Sequence, residues 1–230
     1  CSNKRAHTIK VDSSNPCWFC LSSPNVEKHL IIAIGEHCYL TLAKGGLVDD
    51  HFLIIPIEHK QSVNSSANST ELLYELENFK NSLIRYFGSK SLGVVFFERN
   101  FKSAHWQVHV VPVQLDAIDN LTIKIKSISK DHFAIADYVD IPKNCSINDI
   151  VPHNEPYLYW QVEPLGQRFI CQILVKDSFF PIQLARIVLA DKQIMNCQDR
   201  IDWKRCSKTE DEYIDLAKRV KKDYERFDFT

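Results

Sequence analysis

His105-Trp106-Gln107-Val108-His109-Val110-Val111 alternates polar and apolar side chains. A strand turns successive side chains to opposite faces, so His105, Gln107 and His109 fall on one face. Two imidazoles and a carboxamide on one face are costly to bury unless they bind something. A solvent-facing strand surface is the other reading of this segment alone. Working outward, His105–Val113 and Leu92–Glu98 read as strands, and so do His29–Ile34, Cys38–Ala43 and Phe52–Ile57. The last three are parted by Gly35-Glu36 and by Lys44-Gly45-Gly46, as in an antiparallel meander. Between them and Leu92 the period changes. Leu72, Leu76, Phe79, Leu83 and Tyr86 are spaced four, three, four and three, which predicts a helix over Thr70–Phe87. Ser69 or Thr70 is its expected cap and Gly88 its left-handed stop. Residues 116–133 fit a helix or a strand.

A second pattern begins near residue 134. Tyr157–Val162 and Phe169–Val175 flank Pro164-Leu165-Gly166, which predicts a hairpin. Pro181–Ala190 carries a helical stripe of Ile182, Ala185, Val188 and Leu189. Thr209–Phe227 closes the chain as a helix, with Thr209 and Glu212 as a capping box and Tyr213, Leu216, Val220 and Tyr224 on one face. The order predicts an α+β fold. Its expected divisions are a linker at 1–15, a first domain at 16–133 and a smaller α+β domain at 134–230.

The 230 residues are 45% hydrophobic and 25% charged, and the formal net charge is −1. That composition excludes a mostly disordered chain, a collagen-like chain, a coiled coil and a coat of bulk positive charge. No apolar run approaches the ~18–20 residues that span a bilayer, so no membrane contact is expected. The chain begins at Cys1 and its single methionine is internal, which predicts a piece of a longer protein. Of eight cysteines, only Cys17 and Cys20 form a close pair. Cys38 and Cys171 sit in apolar runs and read as small buried hydrophobes. A reduced compartment without disulfides is the expectation.

Cys17-Trp18-Phe19-Cys20 holds two thiolates at a separation that suits one tetrahedral metal. The two further ligands expected are His59, at the end of the strand Phe52-Leu53-Ile54-Ile55-Pro56-Ile57-Glu58-His59, and His105. His51, on the same strand face, is the substitute for His59. Four protein ligands leave no open position, so such a zinc would be structural. A chance cysteine pair and a redox motif are the alternatives, although no βαβ unit follows the pair.

His-Trp-Gln-Val-His-Val-Val resembles the histidine-triad motif, in which hydrophobic residues separate three histidines. In that superfamily the middle histidine attacks a nucleotide α-phosphate, and the first is a zinc ligand in members with Cys-x-x-Cys. Here Gln107 holds the attacking position, and a carboxamide cannot accept phosphorus and leave again as imidazole does. Pro16-Cys17-Trp18-Phe19-Cys20, Ala43-Lys44-Gly45-Gly46-Leu47, Phe97-Glu98-Arg99-Asn100 and Phe227-Asp228-Phe229-Thr230 narrow the resemblance to the CwfJ family. Those are splicing-associated proteins with a histidine-triad-like antiparallel sheet and a small family-specific domain.

The resemblance implies a nuclear protein of late spliceosomes and intron-lariat complexes, which binds or stimulates the lariat debranching enzyme. It implies a zinc-stabilised, non-catalytic module for RNA or nucleotides and for proteins, with no catalytic residue. His109, Gln107, Lys102, Arg99 and Lys44 are the expected phosphate- or RNA-binding residues. An active nucleotide hydrolase or transferase is the alternative. Trp106 and Trp160 are expected in a core or interface before any base-stacking role.

Overall fold

The chain builds one eight-stranded antiparallel sheet that is covered unequally on its two faces. A computed structural model describes residues 16–133, 137–153, 155–173 and 180–230. Its strands are β1 (Ile31–Ile34), β2 (Cys38–Leu42), β3 (Phe52–Pro56), β4 (Leu92–Asn100), β5 (Val108–Gln114), β6 (Tyr138–Asp140), β7 (Tyr157–Glu163) and β8 (Gln167–Gln172). Its helices are α1 (Thr70–Gly88), α2 (Leu121–His132), α3 (Leu184–Ala190) and α4 (Glu210–Tyr224). The strand order is β1-β2-β3-β5-β4-β7-β8-β6. Strand β4 joins the first-half strands to the second-half strands, in register from Val94 opposite Glu163 to Asn100 opposite Tyr157. Among the described residues no helix is long and apolar enough to cross a membrane.

Alternation decides what each face meets. Leu40, Phe52, Ile54, Val94, Phe96 and Val110 point to one face, beneath Leu76, Phe79 and Leu83 of α1 and Tyr213 and Val220 of α4. Val95, Phe97, Val111 and Trp160 point to the other, beneath Ile125 of α2 and Leu184 and Val188 of α3. Burial on both sides explains why β4 is apolar without interruption from Val94 to Phe97. Over β1–β3 the second face has no helix among the described residues. Phe19 and Leu21 of the N-terminal loop pack there instead, against Ile31, Tyr39, Leu53 and Ile55.

The structure corrects several local expectations. Strand β5 starts at Val108, because the Trp106 amide donates to the Lys60 carbonyl at 2.8 Å, outside the ladder. Lys28–Leu30 forms a 3-10 turn, so β1 starts at Ile31. Ser69 precedes α1 without a side-chain cap, and the left-handed residue after the helix is Ser91 (φ 56°), not Gly88. Residues 121–132 are helical because Leu121, Ile125 and Ile128 fall on one buried stripe. Ile182 lies before α3 and is 53% exposed. The hairpin turns at Gly166 (φ 64°), and the Thr209–Glu212 capping box forms with both of its hydrogen bonds. Trp106 and Trp160 are fully buried core residues. The seven described cysteines are free thiols, with Cys38 and Cys171 buried. Residues 174 and 175 of the expected second hairpin strand, and the expected linker 1–15, lie outside the described residues.

One buried carboxyl conflicts with its surroundings. Glu98 accepts from the Val63 amide at 2.8 Å and the Tyr157 hydroxyl at 2.6 Å. Burial nevertheless outweighs these bonds and nearby Lys80, and pushes its pKa up from 4.5 to about 7. The folded state therefore holds this proton more tightly than the unfolded chain. The contribution of Glu98 to stability is full below pH 4.5 and is lost as pH rises through about 7, a swing of roughly 3 kcal/mol. Glu98→Gln removes that swing. Chemical denaturation at pH 5 and pH 8 should show the variant gaining stability relative to wild type at pH 8. An equal difference at both pH values would contradict the assignment.

Candidate functional site

Cys17, Cys20, His59 and His105 converge, and their ligand atoms lie within 4.8 Å of one another. Cys17 Sγ is 3.4 Å from His105 Nδ1, Cys20 Sγ is 3.2 Å from His59 Nδ1 and 3.6 Å from His105 Nδ1. Zinc bond lengths imply tetrahedral S···N edges of about 3.5 Å, so the set has the size of one tetrahedral ion. The loop before β1 supplies both sulfurs. His59 follows β3, and His105 precedes β5. The irregular backbone at 105–107 is therefore what aims His105 at the cysteines.

The surroundings complete the fit. His105 Nε2–H donates to the Pro56 carbonyl at 2.8 Å, which leaves Nδ1 unprotonated and turned to the sulfurs. Burial lowers the His105 pKa to about 4, so the ring is neutral, as a ligand must be. The Phe19 amide donates to Cys17 Sγ at 3.4 Å. Burial, then the hydrogen bond and charge of Cys17, push Cys20 up to about 11. Two adjacent thiolates are thus unfavourable alone, and a bound dication would offset their charge.

Beside this cluster lies a cavity of about 350 Å³, over the helix-free part of the second face at β1–β3 and bordered by α3. Lys44, Gln107 and His109 line it. Arg99 and Lys102 do not. Arg99 donates to the Phe101 carbonyl, and exposed Lys102 lies over the Phe101 ring at 5.2 Å. Gln107 Nε2 donates to the His105 carbonyl at 3.3 Å.

His109 is held by an ordered chain of hydrogen bonds. The Leu47 amide, which can only donate, bonds His51 Nδ1 at 3.1 Å. The proton of neutral His51 is therefore on Nε2, and that nitrogen lies 3.0 Å from His109 Nδ1. His109 Nδ1 must accept, so its own proton sits on Nε2. That N–H has no partner among the described residues. His109 thus presents a donor to the cavity and no lone pair. Its ring stacks on Phe97, with centroids 4.4 Å apart. Burial, followed by the charges of Arg186 and Arg99, lowers its pKa to about 3. Fully buried His51 is lowered in the same way, first by burial.

His51 is therefore the partner of His109 and not a substitute metal ligand, which the shared strand face could not distinguish. Arg186 and Trp203 also line the cavity. Neither has a signal in the sequence near it, because tertiary packing alone carries them across from the second half.

Two family models match the chain: "Protein similar to CwfJ C-terminal" over residues 3–147 and "Protein similar to CwfJ C-terminus 2" over 129–230. CWF19-like protein 1 of Mus musculus is 43% identical over 215 residues, which are 94% of this chain and 39% of that protein. CWF19-like protein 1 of Homo sapiens is 42% identical with the same coverage. Zinc finger CCCH domain-containing protein 64 of Arabidopsis thaliana is 34% identical over 98% of this chain and 38% of its own length. The chain thus spans about two fifths of these relatives.

The hydrogen-bond chain has a spectroscopic consequence. Long-range ¹H–¹⁵N correlation spectra should show His51 and His109 as neutral Nε2–H tautomers from pH 8 down to pH 5. Their lowered pKa values mean that acid destabilises the fold through them, beginning below pH 6.5. A Nδ1–H signal for His109, or its titration near pH 6.5, would contradict the chain.

Proposed function

The chain belongs to the CwfJ family, and from that premise we propose that it is a zinc-stabilised binding module of a nuclear splicing factor and not an enzyme. Family membership supports the splicing role at the level of a splicing-related factor. The finer reading is that it binds RNA or a nucleotide together with proteins of late, intron-lariat-containing spliceosomes, and recruits or stimulates the lariat debranching enzyme. The sequence units 16–133 and 134–230 serve as one platform, because β4–β7 pairing makes their sheet continuous.

The observation that carries this reading is the pairing of Gln107 with a donor-only His109 at one cavity. Displacement at phosphorus through an enzyme intermediate needs a lone pair that attacks and then leaves. Gln107 lacks that chemistry, and His109 uses its free lone pair on His51. Both can still donate to phosphate or base oxygens. Cys17, Cys20, His59 and His105 would hold zinc as a clamp that fixes the N-terminal loop along the cavity wall.

Two measurements test it. Metal analysis after gel filtration should find about one zinc per chain. Cys20→Ser should lose the metal and several kcal/mol of stability. Assays with a fluorogenic adenosine phosphoramidate and with diadenosine polyphosphates should show no turnover. Turnover that disappears in His109→Ala would replace the binding reading with an active nucleotide hydrolase or transferase.

A further inference from the structure

The loop after β2 supplies the Leu47 amide that starts the His51–His109 chain, and the second half of the protein holds that loop. Two successive carbonyls are taken by arginines. A terminal nitrogen of Arg186 in α3 donates to the Gly45 carbonyl at 2.8 Å, and Arg200 Nε donates to the Gly46 carbonyl at 3.1 Å. No other donor among the described residues bonds either carbonyl. Arg186 also steadies Arg200: Nε donates to the Ile201 carbonyl at 2.9 Å, and the same terminal nitrogen reaches the Arg200 carbonyl. The Gly45 amide donates to the Tyr213 hydroxyl of α4 at 2.7 Å. The two glycines make this closeness possible. A Cβ on Gly45 (φ +59°) would lie 1.9 Å from the Trp203 carbonyl oxygen, and one on Gly46 would lie 2.8 Å from His51 Cβ.

The Gly46 carbonyl and the Leu47 amide belong to one planar peptide group, so an oxygen held on Arg200 also fixes the direction of that N–H. The hydrogen bonds then run in one sense. Arg200 donates to the peptide oxygen, the peptide N–H donates to His51 Nδ1, and His51 Nε2–H donates to His109 Nδ1. Each bond polarises the next. Reversal would place a proton on His51 Nδ1 against the Leu47 N–H, donor facing donor. His109 would then donate from Nδ1 and turn a lone pair to the cavity. Burial first, then the charges of His109, Arg186 and Arg200, hold His51 well below its ordinary pKa, which keeps the middle ring neutral.

We propose that Arg200, with Arg186 behind it, is a positioning residue that sets the hydrogen-bonding character of the cavity from the second half of the chain. Its hold on the Gly46–Leu47 peptide keeps the His109 proton on Nε2, so a ligand atom that meets His109 must be an acceptor. This rests on the binding reading above and adds the element that selects the ligand atom.

Long-range ¹H–¹⁵N correlation spectra of the whole chain without ligand, near neutral pH, test it. In wild type the two His109 nitrogens should be well separated, Nε2 protonated and Nδ1 not. Arg200→Ala should draw the two resonances together, because loss of one ordinary hydrogen bond shifts a tautomer ratio about 5-fold. Arg186→Lys keeps the charge and loses the fork, and should do the same to a smaller extent. Arg200→Lys keeps a donor and should retain most of the separation. Lys208→Ala cuts an ion pair to Asp49 in the same loop and should leave the resonances apart. A thermal melt confirms that each variant is folded. Unchanged separation in folded Arg200→Ala and Arg186→Lys, or an equal change in Lys208→Ala, would overturn the proposal. With no ligand present, that result leaves the binding reading intact, whereas failure of RNA and nucleotides to bind would remove that reading without moving a resonance.

Discussion

The antiparallel pairing of β4 with β7 joins what the sequence patterns present as two units. Without it, β7, β8 and β6 would have no sheet to extend, and α3 would lose the apolar surface that it covers. The pairing buries β4 on both faces, where Val94 and Phe96 meet the α1–α4 layer and Val95 and Phe97 meet α2 and α3. It also brings Arg186 and Trp203 to a cavity whose floor comes from β2, β3 and β5. The second half is thus structural support and cavity wall together.

The site contains two histidine arrangements with different tasks. His105 donates through Nε2 to Pro56 and keeps Nδ1 free for the sulfurs. His109 accepts at Nδ1 from His51 and keeps Nε2–H free for the cavity. Residues 105 and 109 follow one alternating pattern and share the Nε2–H tautomer, yet their partners leave His105 with a lone pair toward the sulfurs and His109 with an N–H toward the cavity. Burial keeps both neutral, because an imidazolium in either place would be poorly solvated. The same surroundings that fit a zinc ligand and a donor therefore disfavour proton-transfer chemistry near pH 7, which needs a group that gains and loses a proton easily.

Much of this was legible in the sequence where the signal is local. The apolar stripe of α1, the Thr209–Glu212 box and the Gly166 turn depend on residues a few positions apart. The convergence of Cys17, Cys20, His59 and His105 was legible because motif order stood in for distance. The start of β5 was not, because Trp106 is drawn to the Lys60 carbonyl and out of the ladder. The role of His51 was hidden for a related reason. Strand parity places His51 and His59 on one face, but only the neighbouring strand decides that one meets His109 and the other Cys20. Arg186 and Trp203 are fixed by contacts with Gly45, more than a hundred residues away in the chain.

A net charge of −1 acquires a definite meaning from this geometry. A protein that grips nucleic acid through its phosphates needs many cations, and its affinity then falls steeply with salt. Here the local cations are mostly committed: Lys44 to Glu27, Arg186 to Gly45 and Arg99 to Phe101. A ligand entering this cavity would meet short-range contacts, which are aromatic surface, one neutral N–H and a carboxamide. Such contacts act only within a few ångströms and cannot steer a partner from afar. On the binding role proposed above, neighbouring proteins would have to bring the nucleic acid within reach.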